Sequence, residues 1–222
     1  MKLLFTVAFC FLLTPLAWGH PGGHYDSDPF RQLDEVLPDP NEVRAANGAP
    51  GPEYWQQRAD YKIEVTLDDA LQRISGRARI TYTNNSPLAL GYLWVQLDQN
   101  RFEQEALGHQ AMEAPDFEDV GFRTVRNELT RDTFEGGFQI KGVYAGNGQP
   151  LSHRIVDTMM RVDLEEPVAS GATMTFGIDW EHRIVNAKHI RARGGCEYFE
   201  KDKNWIYTIA QWYPCLLYTS PS

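Results

Sequence analysis

Cysteine is scarce. The chain has three, Cys10, Cys196 and Cys215, and the first sits inside an apolar N-terminal run. Two remaining cysteines make no disulfide framework, and no Cys-x-x-Cys pair is present for redox or zinc chemistry. Positive charge is also short. The 21 Lys and Arg residues face 30 Asp and Glu, for a formal charge of -9. No Lys/Arg cluster offsets this, which argues against nucleic acid as a partner, because phosphate affinity needs a basic face. There is no Gly-x-Ser-x-Gly elbow and no phosphate-cradling Gly loop. Internal repeats, coiled-coil heptads and a long amphipathic helix are also missing.

Long hydrophobic runs are confined to the N-terminus. Leu3 to Leu16 is almost wholly apolar, follows Lys2, and leads to Ala17-Trp18-Gly19 with small residues at the two positions a signal peptidase requires. Residues 1–19 therefore read as a secretory signal peptide, too short for a comfortable transmembrane helix. An uncleaved anchor is the other reading. No Cys follows the small-residue site, so lipid attachment is not indicated. The expected location is secreted or periplasmic, with no membrane partner after cleavage.

The chain as a whole has the composition of a soluble globular protein, 42% hydrophobic and 23% charged. Residues 20–52 are poor in aliphatics and rich in Pro, Gly, Asp and Asn, the pattern of a flexible leader. His20 and His24 lie there without a third metal ligand nearby. Strand periodicity starts at Tyr61, where Tyr61, Ile63, Val65 and Leu67 alternate with polar residues. Ala78, Ile80 and Tyr82 repeat the pattern, with Arg77 and Arg79 on a solvated face. Asn84-Asn85-Ser86-Pro87 marks a turn. Tyr92 to Leu97 is apolar nearly throughout, as in a central strand. Between Asp98 and Gly137 the pattern weakens and acidic residues accumulate, which reads as a surface insertion. Alternation resumes at Phe138, then at Thr158 to Leu164 and Met174 to Trp180, with turns at Asn147-Gly148 and Ser170-Gly171. Short strands at this spacing predict an all-β fold, an antiparallel sandwich or saddle-like sheet.

Glu197 to Pro214 reads as a β-hairpin, with a polar turn at Lys201-Asp202-Lys203-Asn204 and a second strand from Trp205. Both faces of that strand carry apolar residues, which predicts cover on both sides. It delivers Gln211 between bulky aromatics, just before a Pro that cannot continue an inner strand. Such an amide is either a structural hydrogen-bonder or part of a site.

Tyr198-Phe-Glu-Lys-Asp and Trp205-Ile-Tyr-Thr-Ile-Ala-Gln-Trp-Tyr-Pro resemble the segment that closes much of the N-terminal β-domain in aminopeptidase-N-like zinc metallopeptidases, the gluzincins. Leu93-Trp-Val-Gln-Leu-Asp-Gln-Asn100, Asp157-Thr-Met-Met-Arg-Val-Asp-Leu164 and Gly171 to Trp180 also resemble that family, in the same order. The resemblance runs from about Tyr54 to Pro214. It implies a domain over 53–214, incomplete at its C-terminal end, that roofs a catalytic domain. It further implies a parent enzyme that uses zinc to remove N-terminal residues from peptide substrates, with Gln211 as a substrate-binding residue. The rival from another class is a stand-alone secreted β-sandwich that binds a protein or a glycan.

The family's catalytic residues are not in this chain. Its His-Glu-x-x-His helix puts two imidazoles on one face for the metal, with the Glu as general base. None of the six His here is followed by Glu, and the family's Gly-x-Met-Glu-Asn element is absent. No catalytic residue, metal ligand or bound cofactor is therefore expected in this chain, with zinc confined to the longer parent. Glu181 and His182 are adjacent in a strand, so they point to opposite faces and cannot easily share a site. Cys196 is either a nucleophile or a packed thiol, and no His–acid arrangement supports the former. Residues 215–222, Cys-Leu-Leu-Tyr-Thr-Ser-Pro-Ser, read as a non-native tail derived from a sequencing adapter. If that tail were genuine, a Cys196–Cys215 bridge would be the rival reading.

Overall fold

A computed structural model describes residues 40–217 except 46, 112–119 and 191. The expected signal peptide, most of the leader and the end of the expected adapter tail lie outside the described residues. Two four-stranded antiparallel sheets and a two-stranded ribbon make up the fold. The first sheet has the order β1-β2-β7-β4, built from β1 (Arg58–Asp68), β2 (Arg73–Thr83), β7 (Thr173–Arg183) and β4 (Gln139–Ala145). The second has the order β10-β3-β6-β5, from β10 (Cys215–Leu216), β3 (Leu90–Gln96), β6 (Met159–Val168) and β5 (His153–Val156). β8 (Gly195–Phe199) and β9 (Asn204–Thr208) form the ribbon. The predicted all-β sandwich is the observed class.

The period-2 pattern works because each sheet buries one face. Ala78, Ile80 and Tyr82 of β2 and Phe176, Ile178 and Trp180 of β7 face Leu93, Val95, Met160 and Val162 of the second sheet. On the outer face, Arg77 forms two 2.9 Å bonds to Asp179 across the β2–β7 pair. A second cluster of Ile74, Ile184 and Cys196 is covered by Trp205, Tyr207, Ile209 and Trp212, so the ribbon caps one end of the sandwich.

Two expectations change, and two further segments gain detail. The strand from Trp205 is covered on one face only. Trp205 and Tyr207 pack inward, but Ile206 is 55% exposed, because a two-stranded ribbon has no layer beyond it. In β1, Tyr61 and Ile63 reach the core while Val65 and Leu67 stand exposed, since they lie at the far end of a strand longer than those of the opposing sheet. The insertion at 98–137 is not featureless. It holds a 3-10 helix over Asp98–Phe102, a short helix α1 (Leu107–Gln110) and an 11-residue helix α2 (Phe122–Asp132). Cys215–Leu216, assigned above to a tail, pair with Gln96 and Val95, and Leu216 is buried. Cys196 and Cys215 are free thiols.

One close approach fixes how β2 and β7 meet. Gly76 pairs with Trp180, and a Cβ at Gly76 would stand 2.5 Å from Cζ2 of that indole. Trp180 is 1% exposed, so its ring has nowhere to retreat. Gly76→Ala is expected to destabilise the fold by about 1–3 kcal/mol, the usual cost of overpacking, read by chemical denaturation. A change within about 0.5 kcal/mol, the range of a neutral surface substitution, would show that the indole yields freely.

Candidate functional site

The site grows out of the segment that leaves β9. Ladder pairing stops at Thr208, yet the chain must cross the end of the sandwich to reach β10. Its backbone carbonyls then need other partners, because a buried unpaired carbonyl costs free energy. Side chains supply them. Gln99 Nε2 donates to the carbonyl of Ala210 at 2.9 Å and to that of Gln211 at 3.1 Å. His182 Nε2 lies 3.2 Å from the carbonyl of Trp212. Gln99 and His182 are both buried. Beyond them, Trp212 and Tyr213 stack edge-on at 5.0 Å, Tyr213 meets Tyr61 at 5.5 Å, and Leu216 N donates to Tyr61 Oη at 2.8 Å.

Gln211 sits in the middle of this crossing with φ +54. That left-handed conformation costs a non-glycine residue about 1 kcal/mol. Gln211 is exposed, not buried as an inner-strand amide would be. Its backbone carbonyl is held, and the residue lines a small cavity of about 20 Å³, room for roughly one water molecule. Asp98, Arg101, His182 and Arg193 line the same cavity.

Gln99 belongs to Leu93–Asn100, one of the segments that carries the resemblance. Its last residues, with the 3-10 helix over Asp98–Phe102, act as a bracket. Leu97 is fully buried, and Asp98 accepts a 2.7 Å bond from Gln96 Nε2. Asn100 donates to the Asp157 carbonyl at 2.9 Å and accepts from Phe138 N at 2.8 Å. Sequence reasoning missed Gln99 and Asn100. A usable clue was polar amides directly after an apolar strand, where backbone groups lose their ladder partners.

Glu181 and His182 do point to opposite faces. Glu181 pairs with Lys141 at 2.9 Å and Arg73 at 3.7 Å on the outer surface. His182 lies inward, edge-on to Phe138 at 5.1 Å. Its Nδ1 is 3.1 Å from the Arg183 carbonyl, so both ring nitrogens face carbonyl oxygens. A neutral imidazole can donate to only one of them. Burial pushes the ring below its ordinary value of 6.5, and the two carbonyls pull the other way. Cys196 is also buried, which pushes its thiol up and keeps it protonated, the reverse of an activated nucleophile. Among the described residues, no group of three or more His, Cys, Asp or Glu could hold a metal ion.

His182 sets a pH dependence with a definite sign. The unfolded ring takes up a proton that the buried ring refuses. Stability is therefore full above about pH 6.5 and falls as the pH drops from there toward the lowered folded value. Glu103 works in the opposite direction over a lower range. Desolvation, helped by Asp157 and Glu105, raises it above its ordinary 4.5. Comparing His182→Gln with the parent isolates the histidine. The variant is expected to lose the decline just below pH 6.5, measured by urea denaturation across pH. An unchanged decline would remove His182 as its source.

No family model and no curated protein matches this chain. Among solved structures, a mutant of the M1 zinc metallopeptidase from Deinococcus radiodurans matches with a TM-score of 0.38 and 12% identity. The match covers 64% of this chain and 24% of that one, so this chain spans about a quarter of that protein's length. The likeness is distant and partial.

Proposed function

We propose that this chain supplies the N-terminal, non-catalytic β-domain of a secreted or periplasmic zinc aminopeptidase, and that Gln211 helps hold the substrate's amino end. The observation that carries this reading is the setting of Gln211. It is exposed and left-handed, its backbone carbonyl is bound by Gln99, and it lines a cavity. Non-glycine residues kept in strained backbone regions concentrate at functional sites. The surrounding segments are those that resemble the gluzincin N-terminal domain. Secretion is supported by the apolar run ending at Ala17-Trp18-Gly19.

The described residues do not fit a zinc ion. In this proposal the metal and the hydrolytic step belong to another part of a longer protein. This chain's contribution is recognition. The Gln211 amide oxygen accepts a hydrogen bond from a peptide's protonated α-amine, a charge-assisted bond worth about 1.5–3 kcal/mol.

A second reading, a β-sandwich that binds a protein or glycan, is favoured by the outer face of the second sheet. Tyr92 and Trp94 are exposed there with ring centroids 6.2 Å apart, and the Arg161 guanidinium lies 4.1 Å from the Tyr92 centroid.

Sequencing the gene beyond the codon for Pro214 discriminates the two readings. A His-Glu-x-x-His motif within the next domain length supports the enzyme, and a stop codon soon after supports the binding module. In a full-length enzyme, Gln211→Gly is expected to lower kcat/KM on free-amine peptides by about 10- to 150-fold. Thermal stability should hold or rise, because glycine relieves the left-handed backbone. Lost stability with normal activity per folded molecule would assign Gln211 to the scaffold. This chain alone is expected to bind no stoichiometric zinc and cleave no aminoacyl substrate. Tight equimolar zinc in mass spectrometry of the native protein would overturn that expectation.

A further inference from the structure

Helix α2 (Phe122–Asp132) is turned the opposite way from an ordinary domain helix. Phe122, Val125 and Leu129, at i, i+3 and i+7, form one apolar stripe, and all three are exposed, Phe122 at 83%. The polar face, with Arg123, Asn127 and Arg131, instead lines a cleft of about 760 Å³. Arg101 and Lys188 stand in the same walls. A helix that directs its polar side inward makes the cleft polar by construction, and that volume suits a ligand of a few residues.

The charges in the walls are not all spent. Glu128 pairs with Arg131 inside α2. Asp98 and Asp157 accept hydrogen bonds from Gln96 Nε2 at 2.7 Å and Leu107 N at 3.3 Å, which tie them to the frame. The side chains of Arg123 and Lys188 have no hydrogen-bond or ion-pair partner among the described residues. The Arg101 guanidinium lies over the Phe102 ring, 5.3 Å from its centroid. Two buried wall atoms, Asn127 Oδ1 and His189 Nδ1, also have no hydrogen-bond partner. The walls hold Arg101, Arg123, Arg131 and Lys188 against Asp98, Glu128 and Asp157, a net positive lining in a protein of net charge -9, which favours an anionic ligand. A free phosphate would fill only a small part of a cleft of about 760 Å³. A peptide of a few residues fits that volume and brings several carboxylates for the cations.

We propose that this cleft binds a short acidic peptide segment, with its carboxylates on Arg123 and Lys188. The proposal does not depend on the role of Gln211 or on any peptidase activity.

Fluorescence polarisation on the whole chain tests it, with a labelled, end-blocked Asp-Glu-Asp-Glu peptide and its Asn-Gln-Asn-Gln counterpart as probes. The acidic peptide is expected to bind, to weaken with added salt, and to bind at least about tenfold more tightly than the amide peptide. Arg123 and Lys188 are exposed, so the double variant Arg123→Gln/Lys188→Gln keeps the fold, checked by circular dichroism. It is expected to bind the acidic peptide about tenfold or more weakly. Equal binding of the two peptides, absent binding of both, or undiminished binding by the double variant would overturn the proposal. Displacement of the peptide by low-millimolar inorganic phosphate would also overturn it, in favour of a small-anion site.

Discussion

Backbone groups that leave a sheet still have to be paired, and the ends of this sandwich are built around that constraint. The buried polar side chains are spent on it. Asn84 donates to the carbonyls of Leu88 and Val168 at 2.7 and 2.8 Å, and its own oxygen accepts from Gln57 Nε2 and Ser86 Oγ. Asn100 holds Asp157 and Phe138. Gln99 holds Ala210 and Gln211, and His182 faces Arg183 and Trp212. Each is an amide or imidazole in an apolar setting, where an unmade hydrogen bond costs about 1–3 kcal/mol. The core supplies the driving force for folding, but these contacts decide where the connecting segments lie.

The same constraint explains what could be read in the sequence. The strands were legible because their evidence is local. Tyr61, Ile63, Ala78, Ile80, Phe176 and Ile178 repeat every second residue, and each reaches the core. The hairpin at β8 and β9 was legible from its polar turn. Gln99 and His182 were not, because their roles depend on Ala210 and Trp212, which lie 111 and 30 residues away. No period or spacing encodes such a pairing. Gln211 could be singled out by resemblance and by its aromatic neighbours, but its left-handed backbone and exposure could not. Both accompany the bonds from Gln99 to two successive carbonyls.

Helix α2 failed to appear in the pattern for a different reason. Periodicity arguments assume that apolar residues mark the buried side. In α2 they mark the exposed side, and the inward face is Arg123, Asn127 and Arg131. A helix whose apolar stripe buries nothing among the described residues gives a weak and inverted pattern. The acidic stretch preceding it made a solvated loop the natural reading.

The bracket at Asp98–Phe102 is a wall shared by both cavities, since Asp98, Arg101 and Phe102 line each of them. A shared wall invites the idea that occupancy of one cavity alters the other. Coupling of that kind requires an element with two discrete arrangements. The bracket is poorly suited to that. Leu97 is fully buried, and Gln99 and Asn100 are locked into four backbone contacts on three other segments. Shifting it would strand those groups together, at the cost of several buried hydrogen bonds. The bracket therefore serves as a fixed partition. It holds the Gln211 turn on one side and borders the cleft on the other, so a change in one cavity meets no two-state element through which to reach the other.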